Sequence, residues 1–325
     1  MDKTYSFPII DMHIHLGRLS LGENYLQAYD TLVQKELLET SGISKAVALD
    51  LTWGDEYLRL KEKLAPAGDF FELFPSVDYH RVEEPDFEGM VYRTLRDYKS
   101  DGVKGLKLWK DITLTLRDKN DKVIPVDSPL FDSIWAYSAE FSLPIVNHIG
   151  AQPAFFDPVT SDHVFYDMLQ EHPEWSFDKP GMPSFKEHMD MQERLFARHP
   201  KTQFVVAHVS GYVDDLEKVS EWLERFPNVV VDISARVGQL ARQSDKARDF
   251  ILKYPDRVLF GTDYGATDKG VPEFYQKYFQ FLESRDLLEN PFDDTKEELR
   301  GVGLPLEVLE KVYYSNAKRI LKLDI

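Results

Sequence analysis

No cysteine occurs among the 325 residues. Disulfides and thiolate metal sites are thereby excluded, and any metal must be held by histidine and carboxylate, a donor set that suits zinc, manganese or iron. Basic residues are also scarce, with 39 Lys and Arg against 56 Asp and Glu and a formal net charge of −17. A chain this acidic is poorly suited to phosphate backbones or anionic membranes, so neither nucleic acid nor membrane is expected as a partner. No run approaches the ~20 apolar residues of a membrane span, and residues 1–5 lack a basic region followed by an apolar core. The expectation is a soluble cytoplasmic protein. Low-complexity tracts, short-period repeats and Gly/Ser linkers are missing as well. With 43% hydrophobic residues the chain can build a large core, and one domain over residues 1–325 is expected.

What is present is an alternation of short apolar runs with longer amphipathic ones. The strands expected from it are Pro8–His15, Ala46–Leu51, Phe71–Val77, Val103–Trp109, Pro144–His148, Phe204–His208, Val229–Ser234 and Val258–Asp263. Helical patterns follow at Glu23–Thr40, Asp86–Lys99, Pro129–Phe141, Asp214–Phe226, Gln239–Lys253 and Pro305–Leu323. Eight strand-then-helix units predict an α/β fold, the (β/α)8 TIM barrel. An open doubly wound sheet would more often carry a glycine-rich phosphate loop after its first strand, and none is found. The spacing from His148 to His208 exceeds one regular unit and predicts a long loop insertion at about 151–200, rich in Phe and Trp, ahead of a helix at Ser184–Arg198. A second extension, Thr267–Arg300, is placed to close the same mouth.

A barrel of this kind puts its chemistry at the C-terminal ends of the strands. The first strand ends in Asp11-Met12-His13-Ile14-His15, and alternation projects His13 and His15 together while Met12, Ile14 and Leu16 face the other way. His148 ends the fifth strand, His208 the sixth and Asp263 the eighth. Any one of these alone would pass for an ordinary hydrogen-bonded strand-end residue; five on one rim would not. His80, His163, His172, His188 and His199 fall in loops or helices and read as structural. The fourth strand turns Lys107 and Trp109 to the lumen, and the seventh Asp232, Ser234 and Arg236. Arg236 suits a bidentate carboxylate clamp.

Taken with the segments Gly105-Leu106-Lys107-Leu108, Val205-Val206-Ala207-His208, Phe260-Gly261-Thr262-Asp263 and Asn316-Ala317-Lys318-Arg319, the chain resembles the amidohydrolase superfamily over essentially its whole length. The similarity is to the amidohydrolase 2 branch, which includes aminocarboxymuconate-semialdehyde decarboxylase, the resorcylate-type decarboxylases and several lactone hydrolases. The resemblance implies one divalent metal ion, zinc first with manganese or iron as alternatives, held by His13, His15, His148 and Asp263. His208 and Asp263 are its implied catalytic residues, with Lys107, Arg236 and Trp109 on the substrate side.

The function expected is metal-dependent hydrolysis of a small carboxylated, lactone or amide substrate by activated water, with Asp263 as proton shuttle and His208 beside the oxyanion. The alternative is a non-oxidative decarboxylase of a small aromatic or unsaturated acid. A metal-free scaffold is the contrasting class, and the complete ligand set argues against it. Lys107 is read as a cation for an anionic substrate rather than a carboxylated bridge between two metals. Partners are the small-molecule substrate and, as an open expectation, further copies of the chain.

Overall fold

Apolar residues occupy both faces of runs such as Val229–Val231, a pattern kept only where helices cover one side of a strand and a filled lumen the other. The computed structural model, which describes residues 5–148, 151–289 and 298–323, folds these runs into parallel strands. They are β1 (Ile10–His15), β2 (Lys45–Ala48), β3 (Phe71–Leu73), β4 (Leu106–Trp109), β5 (Ile145–His148), β6 (Phe204–Val206), β7 (Val229–Asp232), β8 (Val258–Leu259) and β9 (Tyr264–Gly265). Hydrogen bonding orders them β3-β2-β1-β9 and β4-β5-β6-β7-β8. Two seams close the ring. Lys107 N donates to Pro75 O at 2.9 Å on one side, and on the other Met12 N donates to Phe260 O at 3.0 Å and Asp263 N to His13 O at 2.8 Å. This is the (β/α)8 barrel.

Each strand alternates between two apolar clusters. Leu106, Leu108, Phe204, Val206, Val229 and Val231 pack outward beneath the helices. Val146, Val205, Val230 and Leu259 turn inward and fill the lumen floor, closed below by Ile320 and Leu321 of the terminal helix. Each such side chain contributes roughly 1.5–3 kcal/mol relative to exposure, so the floor is a packed plug and polar groups are confined to the upper rim.

Four departures from the periodicity have local causes. Met12 does not share the outward face of Ile14 and Leu16 but lies in the lumen floor, because the β1 register shifts between Asp11 and Ile14. Asp11 Oδ1 accepts from His13 N at 3.0 Å, a local bond that bends the strand there. The eighth strand is divided into β8 and β9 by Asp263, which sits at φ 65°. The helix expected over Glu23–Thr40 becomes Tyr25–Ala28 and Thr31–Thr40, since Asp30 is extended and accepts from Leu32 N and Val33 N as an N-cap. The helix expected over Gln239–Lys253 breaks at Gln243, whose Nε2 donates to Val213 O at 2.6 Å.

The remaining elements follow their local signals. Leu216–Arg225 buries Leu216, Val219, Trp222 and Leu223, one helical stripe. Ser184 and Glu187 form a reciprocal capping box at the head of the helix Phe185–Arg198. The terminal helix is interrupted by a π-type turn at Lys311–Ser315, within which Val312 O accepts Phe260 N at 3.0 Å. The insertion after β5 builds a small core of its own, in which Phe155, Leu169 and Phe177 pack with Leu114 from the turn after β4. Within Thr267–Arg300 the helix Val271–Glu283 buries Tyr275 and Tyr278, and Leu287–Glu289 pairs antiparallel with Glu298–Arg300; residues 290–297 lie outside the described residues. Among the described residues no helix is long and apolar enough to cross a membrane.

Candidate metal centre at the barrel mouth

The bend in β1 delivers His13 and His15 to the rim, and the left-handed turn at Asp263 brings a carboxylate between them. Asp263 Oδ1 lies 3.3 Å from His13 Nε2 and 3.1 Å from His15 Nε2. These three donor atoms fall within 4.8 Å of one another. His208 packs its ring 4.9 Å from that of His13, and His148 meets His208 edge-on at 4.2 Å. The structure therefore gathers His13, His15, Asp263 and His208 and sets His148 against His208, one ring away from the three-donor group.

Hydrogen bonds fix which nitrogen each ring presents. His13 Nδ1 lies 2.9 Å from Asp232 Oδ2, and a carboxylate partner requires the proton to sit on Nδ1. His13 Nε2 then carries a lone pair, and it is buried without a hydrogen-bond partner. In the same way His208 Nδ1 donates to Ser234 O at 2.8 Å, leaving Nε2 open. Asp232 is itself held through Oδ1 by His208 N and Ser234 N, each at 3.0 Å.

Titration follows the same logic. Burial lowers His13, pushes His208 down to about 3 and holds His148 well below the ordinary histidine value, so His148 and His208 are neutral near pH 7. Burial pushes the Asp263 carboxyl up, but its pairing with His13 and its hydrogen bond with His15 outweigh it and hold it well below the usual carboxylate range. Asp263 Oδ1 thus faces His13 Nε2 at 3.3 Å and His15 Nε2 at 3.1 Å. Two imidazole nitrogens converging on one carboxylate oxygen form a donor set that fits a divalent cation.

The backbone is strained at the same place. His208, Val209, Ser210, Ala235 and Asp263 all have positive φ, and each non-glycine residue so held costs about 1–3 kcal/mol. Gly261 allows β8 to approach closely, since a Cβ there would stand 3.0 Å from the His13 Cβ. At Gly17 a Cβ would meet the Asp50 carboxyl carbon at 2.7 Å, and Asp50 uses that closeness to accept Leu16 N and Gly17 N.

The cations stand around this rim. Lys107 is fully buried, its Nζ has no hydrogen-bond partner, and burial pulls it down to about 8 against the opposing pull of Asp263, Asp232 and Asp50. Arg236 donates from Nη1 to Ala235 O at 2.8 Å and keeps a buried Nε without a partner. Trp109, expected on the substrate side, has its ring centroid 5.5 Å from Lys110 Nζ.

Three contributors were not singled out from the sequence. Alternation turned Asp232 to the lumen but gave no sign that it anchors His13. Asp50 lies in a loop beyond β2, and Asp11 faces outward to accept Thr262 Oγ1 at 2.6 Å and Tyr275 Oη at 2.7 Å. Only tertiary contact reveals these.

No curated protein matches the sequence closely enough to be counted a relative. An amidohydrolase from Burkholderia multivorans with bound zinc aligns at TM-score 0.58 and 14% identity, covering 98% of this chain and 100% of that one. The 5-carboxyvanillate decarboxylase from Novosphingobium aromaticivorans, solved with manganese and a nitrobenzoic acid, aligns at 0.56 and 15% identity over 98% and 96%. The 4-oxalomesaconate hydratase from Rhodopseudomonas palustris aligns at 0.54 and 14% identity over 97% and 95%. At such identities the likeness speaks for the fold. The profile of the amidohydrolase 2 family, described as amidohydrolase, matches residues 10–323, and the chain belongs to that family.

Proposed function

We propose that this chain is a metal-dependent hydrolase acting on a small carboxylated, lactone or amide substrate. The observation that carries the reading is the convergence of His13 Nε2 and His15 Nε2 on Asp263 Oδ1 at the mouth of the barrel. His13, His15, His148 and Asp263 would hold the cation, with zinc the first expectation and manganese or iron the alternatives. When bound, the cation supplies Lewis acidity and makes hydroxide available near neutral pH.

The protein's own groups then divide the work. Asp263, ionised, takes the proton that the nucleophilic water gives up as it attacks the carbonyl carbon. His208 is neutral and donates its Nδ1 proton to Ser234 O, so Nε2 offers a lone pair rather than a hydrogen bond to an oxyanion. We therefore assign His208 the relay of that proton to the leaving oxygen or nitrogen. Lys107 and Arg236 hold the substrate's anionic group and offset the developing negative charge.

Turnover in 18O-labelled water tests the reaction class. Hydrolysis is expected to place one heavy oxygen in a new carboxylate; solvent deuterium on carbon with release of carbon dioxide would instead establish the carboxy-lyase alternative. For Lys107 the expectation is one metal per chain, unaffected by bicarbonate during reconstitution. Lys107→Ala should keep that metal and lower kcat/KM about 10- to 100-fold, the loss expected when a charge-assisted contact is removed. Metal content near two per chain, falling when bicarbonate is withheld, would identify a carboxylated lysine.

A further inference from the structure

Lys110 follows the end of β4, and its ammonium is surrounded by aromatic faces. Nζ lies 5.5 Å from the ring centroid of Trp109, 5.8 Å from Phe155, 5.5 Å from Trp175 and 5.7 Å from Phe177. Trp109 belongs to the strand, whereas Phe155, Trp175 and Phe177 all come from the insertion after β5. We infer that Lys110 is a positioning residue, a cationic latch whose caged ammonium holds the 151–179 segment closed over the barrel mouth.

The insertion is organised to use such a latch. Phe177 N donates to Phe155 O at 2.7 Å, tying the two ends of the segment into one unit. Phe155 and Phe177 lie in its small core with Leu114 and Leu169, so apolar contact accounts for their packing but not for the cation placed among them. Trp175 carries the His172 ring stacked on it at 4.1 Å, which leaves it a rigid wall. An ammonium held over several ring faces is attracted by their quadrupoles, and the attraction strengthens as water is removed.

Charge ties the latch to the chemistry. Burial pulls Lys110 down to about 8, Arg236 adds to that effect, and Asp263, Glu174 and Asp111 oppose it. The ammonium therefore belongs to the same electrostatic field as Asp263 and Arg236 on the rim. A neutral side chain of equal length would fill the cage and lose the attraction. Among the described residues Glu174 is the acidic group that the insertion itself contributes to this field.

Hydrogen–deuterium exchange on the full chain tests the latch without any substrate, so its failure is separable from failure of the proposed hydrolysis. In Lys110→Met, which keeps the packing and removes the charge, amide protection over residues 151–179 should fall about tenfold while the barrel strands stay protected. Lys110→Arg should retain protection. Unchanged protection in Lys110→Met would overturn the inference, as would an equal loss in Lys110→Arg. Should Lys110→Met fail to fold, Trp175→Leu removes one wall of the cage from the other side; a loss confined to 151–179 supports the latch and an unchanged pattern overturns it.

Discussion

His13→Ala is expected to fold and to lose its metal. The substitution removes the one ring whose tautomer is fixed by a buried carboxylate, with Nδ1 on Asp232 Oδ2 at 2.9 Å and Nε2 facing Asp263 Oδ1 at 3.3 Å. Losing an outer partner of a metal ligand typically lowers affinity about 10- to 100-fold, and losing the ligand itself should exceed that. Activity should fall with occupancy, by about 10³-fold or more. The fold should survive, because Asp232 keeps His208 N and Ser234 N as donors and the lumen floor of Val146, Val205, Val230 and Leu259 is untouched. Elemental analysis of purified protein beside a thermal melt checks both halves. The same outcome is expected for His148→Ala, where the assignment depends on the proposed ligand set; full metal occupancy in either variant would sink it.

The barrel was legible because its strands are apolar on both faces and its polar residues crowd one end, a pattern that few other folds require. The rim histidines and Asp263 were legible for the same reason, since each lies at or just beyond the C-terminal end of a strand. What could not be read is where a single side chain competes with the regular backbone. Asp11 bends β1 by accepting His13 N, and this moved Met12 from the outer face to the lumen. Asp30 and Gln243 broke helices that periodicity made continuous. Lys110 carried no signal at all, because three of the four rings that cage it lie more than forty positions along the chain. Alternation names a facing residue; it does not name the partner.

Asp263→Asn should separate metal binding from proton transfer. Asparagine has nearly the same shape and is among the few residues that readily adopt the left-handed backbone Asp263 requires at φ 65°, so the turn between β8 and β9 and the bond from residue 263 N to His13 O should persist. Its amide oxygen can still approach His13 and His15, and part of the metal should remain. What it cannot do is accept the proton that water releases, because the amide is not a base near neutral pH. Pairing with His13 and His15 holds the native carboxyl well below the usual range against burial, so the wild-type group is ionised and ready for that step throughout the neutral region. Removing a general base lowers rates by about 10²–10⁴-fold, and kcat normalised to bound metal should drop by that much while KM changes little. If kcat per bound metal stays within about tenfold of the parent, Asp263 is a ligand and not the proton acceptor, and that role passes to His208, whose open Nε2 is the other lone pair on the rim.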